Sequence, residues 1–252
     1  MTVDPAPAIA PSDMIEAVRT ASAVIHRCCN ALDVAIPTCP AWTMGDLVRH
    51  TGSVHRWATA AMSTAEPTSF DVVQPPASDI ADADLADWFA DGATTVASTL
   101  SALDPAAPTW HPFPAEQRAG FWLRRLAHET VMHAVDATST TSGHLPLDAA
   151  LASDGIDEYL SVVLVRLMSS GRVSAPAGSI HLHCTDTAGE WLLTPTDDGI
   201  DLVREHAKGD AAIRGTAADL WLTMWGRRSI AGDLDIVGDS AVAQAWMAIG
   251  GN

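Results

Sequence analysis

The stretch RRLAHETVMHAVDA at residues 124–137 combines helix-forming residues with side chains of metal-ligand type. Residues four apart on a helix lie about 40° from each other, so Glu129 and His133 project side by side from one face, and Asp136 falls on that face too. A carboxylate with an imidazole suits zinc or a similar divalent ion. The order His128-Glu129 followed by His133 invites the zincin reading, but that motif needs histidines at i and i+4, where Met132 stands here. His128 and His133 are five apart, about 140° round the helix, and do not converge easily on one ion. Two ligands are not a site, so a third must come from another element.

The helix expected after Thr43 lines up Leu47, His50, Val54 and Trp57 on one stripe, which makes His50 the natural third ligand. The competing reading is a core histidine satisfied by a backbone carbonyl. His55 falls off that stripe, at a pocket rim or the surface, and stands as a reserve ligand. His128 is either an acid/base near the ion or a packed histidine. Asp136 either orients a ligand imidazole or caps solvent-facing backbone.

These residues need a scaffold, and the hydrophobic period supplies one. A Pro- and Ala-rich arm over residues 1–12 leads to a helix reaching about residue 31, with Ile15, Val18, Ala21 or Ser22, and Ile25 in its apolar stripe. A proline-rich turn from Pro37 delivers the chain to Thr43 and Asp46, which resemble a capping box and open the second helix. A long surface loop is expected over 63–80, a helix over 82–103, and a link over 104–114 in which His111 is a loop residue. Helices over 115–138 and 147–168 complete an all-α bundle that ends near residue 170. Beyond it the period becomes two. Strands are expected at 180–184, 190–194, 199–203 and 210–214, with helices at 216–227 and 241–249. This predicts a small antiparallel sheet with helices on one side. His181 and His183 share one strand face, a metal-capable spacing, and read as an exposed polar face.

The 252 residues suffice for two domains over 1–170 and 171–252, and 48% hydrophobic with 18% charged residues describes a folded soluble chain. No apolar run is long enough to span a membrane, and no basic segment precedes an apolar one as in a signal peptide. A net charge of −17 excludes nucleic acid as a natural partner. An anionic small substrate would need a local cationic pocket, for which Arg124, Arg125, Arg227 and Arg228 are the suppliers. Cys28, Cys29, Cys39 and Cys184 show neither zinc-ribbon spacing nor a C-x-x-C motif, the pattern of a reduced cytoplasmic protein. There is no GxSxG elbow, P-loop or dinucleotide GxGxxG.

Cys39-Pro40-Ala41-Trp42-Thr43 through Asp46-Leu47-Val48-Arg49-His50, then Ala127-His128-Glu129 through His133-Ala134-Val135-Asp136-Ala137, resembles the mycothiol-dependent maleylpyruvate isomerase family. The likeness continues through His181-Leu182-His183, Gly189-Glu190-Trp191, Arg214-Gly215-Thr216-Ala217, Trp225-Gly226-Arg227 and Gly238-Asp239, so it covers nearly the whole chain. It implies an α plus α/β fold: a DinB-like four-helix bundle holding a divalent metal, usually zinc, and a small α/β domain like sterol carrier proteins. Carried over, the metal ligands are His50, Glu129 and His133, with Arg227 holding an acidic substrate and Arg228 beside it. The resemblance further implies mycothiol, or another low-molecular-weight thiol, as cosubstrate. Its thiolate adds to an unsaturated electrophile such as maleylpyruvate, which either isomerises or keeps the thiol. Ala134 departs from the basic or polar residue the family often carries after the second helix histidine. The same three ligands also suit metal-assisted hydrolysis without thiol, and the fold suits a non-catalytic binding or stress module.

Overall fold

The computed structural model describes residues 9–141 and 144–250, which form two compact units dividing between Pro146 and Leu147. Residues 1–8 of the expected arm lie outside the described residues. Pro11 opens α1 (Pro11–Arg27), where its missing N–H costs no helical hydrogen bond. The second helix, α2 (Met44–Met62), starts on a complete capping box: Asp46 N donates to Thr43 Oγ1 at 3.2 Å and Thr43 N to Asp46 Oδ2 at 2.9 Å. With α3 (Asp82–Ala102) and α4 (Gly120–Thr138) these make a four-helix bundle in which α1 and α2 each pack on both α3 and α4.

Two connections are more ordered than their composition suggests. The 63–80 loop carries short 3₁₀ turns at Phe70–Val72 and Ala77–Asp79 and is held by Arg49, which donates to the carbonyls of Ala77 and Ile80 and pairs with Asp82. His111 is not a plain loop residue. It is buried, its ring centroid lies 3.6 Å from that of Phe121, and Nε2 donates to the Glu116 carbonyl at 2.8 Å. Pro108 bridges to Arg118 and Gln117 accepts from the His111 N–H, so α4 starts at Gly120 rather than at 115.

In the second unit, α5 (Ala149–Glu158) runs through a π turn at Tyr159–Val163 into α6 (Leu164–Ser169). This long helix, expected to complete the bundle up to residue 170, groups instead with the sheet. A Cβ at Gly155 would lie 2.5 Å from the Trp221 ring, so glycine is what lets the helix ride on that indole. Asp157 accepts from Trp191 Nε1 at 3.0 Å and pairs with Arg204.

The strands are β1 (Ile180–Cys184), β2 (Glu190–Thr196), β3 (Gly199–Val203), β4 (Ala211–Gly215) and β5 (Asp235–Gly238), in the order β3-β2-β1-β4-β5. The sheet is mixed rather than antiparallel, because β4 returns past the β2–β3 hairpin and joins the free edge of β1 in parallel. The strand β5, with no strong alternation, was not expected. Ile180, Leu182 and Leu193 share an apolar seam with Tyr159 of the long helix, Met224 of α7 (Ala217–Met224) and Trp246 of α8 (Ser240–Ala248). His181, His183 and Glu190 therefore occupy the opposite face. Among the described residues no helix is long and apolar enough to cross a membrane, and the four cysteines form no disulfide.

His55 corrects an expectation. It is fully buried rather than at a rim: its Nε2 lies 3.0 Å from Thr130 Oγ1 of α4 and its ring 5.8 Å from Phe89 of α3. Packed on both helices, α2 buries an arc wider than one stripe. Burial pushes the His55 pKa down to about 3. An unfolded histidine protonates near 6.5, so between roughly pH 6.5 and 3 the unfolded chain binds the extra proton and this component of stability is lost as pH falls. His55→Gln removes it. In denaturant titrations the stability gap between wild type and His55→Gln should shrink by about 2 kcal/mol from pH 7 to pH 5; a constant gap would show that His55 is not held neutral.

Candidate metal centre

Three side chains from two helices meet inside the bundle. His50 from α2 and His133 from α4 each place Nε2 3.2 Å from the same oxygen, Oε1 of Glu129. The ligand-type atoms of all three lie within 4.8 Å of one another. The site is partly open, with side-chain exposures of 36% for His50, 19% for Glu129 and 9% for His133. Trp42, from the proline-rich turn, closes one flank with its ring centroid 4.8 Å from that of His50 and 5.7 Å from that of His133.

A second layer of polar groups fixes each donor. Asp136 is fully buried, so it does not cap solvent-facing backbone. Its Oδ2 accepts from His133 Nδ1 at 3.0 Å and its Oδ1 from Thr38 Oγ1 at 2.7 Å. That bond directs His133 Nε2 toward Glu129. Arg125, one turn before Glu129, donates to Glu129 Oε2 at 2.5 Å and leaves Oε1 to the imidazoles. Burial raises the Glu129 pKa, but the Arg125 guanidinium and both imidazoles outweigh it and hold the carboxyl well below its usual range. Burial likewise lowers the His133 pKa, yet its hydrogen bonds to Asp136 and Glu129 lift it to about 9.

The remaining residues singled out in the sequence sit elsewhere. His128 is buried one position before Glu129, about 100° round α4, and is not in the cluster. Arg125 is committed to Glu129, and Arg228 pairs with Asp219. Arg227 is half-buried after α7, donating Nη1 to the Trp225 carbonyl at 2.7 Å with its guanidinium 5.9 Å from the Trp225 ring centroid. Thr38 and Trp42 carried no signal of their role, whereas the Arg125–Glu129 pair was available from its i, i+4 spacing. The expected exposed face of β1 is corrected as well: His181 is buried and gathers with His183, Glu190 and His206.

Comparison with known proteins agrees with this architecture. Residues 16–138 match the family model described as the mycothiol maleylpyruvate isomerase N-terminal domain, and residues 150–245 match the MDMPI C-terminal domain. No curated protein matches the sequence. A crystal structure of the mycothiol-dependent maleylpyruvate isomerase superposes with a TM-score of 0.63 at 12% identity, covering 90% of this chain and 93% of that one. A crystal structure of a histidine-to-alanine mutant of that enzyme gives a TM-score of 0.62 at the same identity and coverage. At 12% identity these likenesses speak for the fold alone. The two family models, tiling the bundle and the sheet unit in the same order, carry the conclusion that the chain belongs to the mycothiol-dependent maleylpyruvate isomerase family.

Proposed function

We propose that the protein is a divalent-metal-dependent enzyme that uses a low-molecular-weight thiol, mycothiol by family, to isomerise a small unsaturated acid such as maleylpyruvate or to transfer the thiol to it. The observation that carries this is the convergence of His50, Glu129 and His133 within 4.8 Å, with Asp136 behind His133. Two imidazoles and a carboxylate are a zinc-type donor set, and three protein ligands are the number that catalytic rather than structural zinc sites use. A divalent ion held there supplies a Lewis acid that brings a thiol's ionisation into the neutral range.

The chain's own residues supply the rest. Asp136 holds the His133 ring in one orientation, and Thr38 holds Asp136. Arg125 keeps Glu129 ionised. The cysteines stand outside this cluster, which fits a nucleophile that arrives from solution. In an acidic protein a carboxylate substrate needs a cation, and the family resemblance at Trp225-Gly226-Arg227 gives Arg227 that role in this reading.

Wild-type protein should show thiol-dependent turnover and carry a zinc equivalent that His50→Ala and His133→Ala each lose together with the turnover, read as the difference in zinc per chain by elemental mass spectrometry and by an isomerase assay with added thiol. Turnover without thiol would replace this mechanism by metal-assisted hydrolysis. Retention of bundle metal in both variants would remove the site. Asp136→Asn should weaken zinc by about 10–100-fold, with activity recovered by excess zinc; unchanged affinity would reduce Asp136 to a packing role. Arg227→Ala should keep its zinc and raise KM for the acid at least tenfold, and an unchanged KM would release Arg227 from substrate binding.

A further inference from the structure

The sheet face opposite the apolar seam carries a cluster that the reading above does not use. His181 and His183 alternate on β1 and so point to the same face. Glu190 stands opposite His183 in the β1–β2 register. His206 reaches the same point from the connection between β3 and β4. Glu190 Oε2 accepts from His206 Nδ1 at 2.7 Å and from His181 Nε2 at 3.2 Å, and Oε1 from His183 Nδ1 at 2.8 Å. The four ligand-type atoms lie within 4.8 Å of one another.

We propose that His181, His183, Glu190 and His206 form a second, structural site for a zinc-class ion, separate from the bundle centre. The donor chemistry argues first. Among the described residues Glu190 is paired only with imidazoles, unlike Glu129 with its arginine. Three nitrogens and one carboxylate oxygen select zinc and its transition-metal neighbours over calcium or magnesium, which take oxygen ligands.

The framework argues next. Three donors sit on two paired strands. The connection bearing the fourth is tied at both ends: Arg204 to Asp157, and Asp210 to the Ser179 N–H and Oγ at 2.7 and 2.8 Å. Bonds of about 2.0–2.1 Å to a tetrahedral ion need ligand atoms roughly 3.3–3.5 Å apart, so the cluster closes by about 1 Å or a little more. His206, with its side chain 78% exposed, is the member free to swing. Four protein ligands complete a tetrahedron and leave no position for a substrate. The ion's effect is to clip the β3–β4 connection onto the sheet.

The test uses tag-free, full-length protein equilibrated with zinc chloride and freed of excess by gel filtration, with zinc per chain counted by elemental mass spectrometry. Wild type should hold two equivalents, His50→Ala/His133→Ala one, His183→Ala/His206→Ala one, and the fourfold variant none. In the His50→Ala/His133→Ala background, added zinc should raise Tm, and His206→Ala, an exposed substitution that leaves the sheet folded, should abolish that rise. A His50→Ala/His133→Ala protein without zinc, or zinc content indifferent to His183 and His206, would overturn the proposal. One equivalent in wild type that survives loss of His50 and His133 but not of His183 and His206 would sink the bundle centre and uphold this site.

Discussion

A carboxylate with no access to water is the constraint from which the bundle's geometry follows. Asp136 is fully buried, and an ionised carboxylate in that position costs several kcal/mol unless each oxygen is satisfied. His133 and Thr38 provide those hydrogen bonds, one from the same helix and one from the proline-rich turn. The Thr38 bond therefore docks the turn onto α4. Five residues later the chain enters α2 through the Thr43–Asp46 capping box, so the docked turn also sets where α2 begins. Two turns further along α2 stands His50, facing Glu129. Satisfying one buried acid thus positions both imidazoles.

The same economy governs Glu129. Its two oxygens are divided between a permanent cation, Arg125, and two titratable rings, His50 and His133. With Arg125 alone it would be an ordinary helix ion pair. With imidazoles alone its charge would depend on theirs. The division keeps the carboxyl ionised while Oε1 faces the rings, which is the state a metal ligand requires.

Much of this was legible in the chain. Glu129 and His133 follow from helix periodicity, since i, i+4 residues meet whatever the tertiary fold. His50 needed its apolar stripe and the family motif together. What stayed hidden depended on neighbours. Asp136 reads the same whether a helix face is wet or dry, and only the approach of Thr38 distinguishes the two. His55 was misplaced because one stripe was assumed for a helix that packs on two partners. Residues 149–169 have the apolar pattern of a bundle helix, and nothing in that pattern says whether the surface it covers belongs to α4 or to Trp221. His206 is a lone loop histidine, and its proximity to His181 arises from a strand order that places β4 beside β1.

The two histidine clusters show how backbone period decides the use of a donor set. On α4 the 3.6-residue turn brings two donors together and spends the next position, Asp136, on orientation, so a third donor has to come from α2 and the cluster stops at three. On β1 the two-residue period puts His181 and His183 on one face with no room between them for an orienting group. The adjacent strand then offers a carboxylate at the same level, and a loop crossing that face offers another ring. A helical pair needs outer support, and here Trp42 covers one flank of it. A strand pair is braced by its ladder and invites closure from above. The same residue types therefore serve the catalytic centre proposed for the bundle and the structural clip proposed for the sheet.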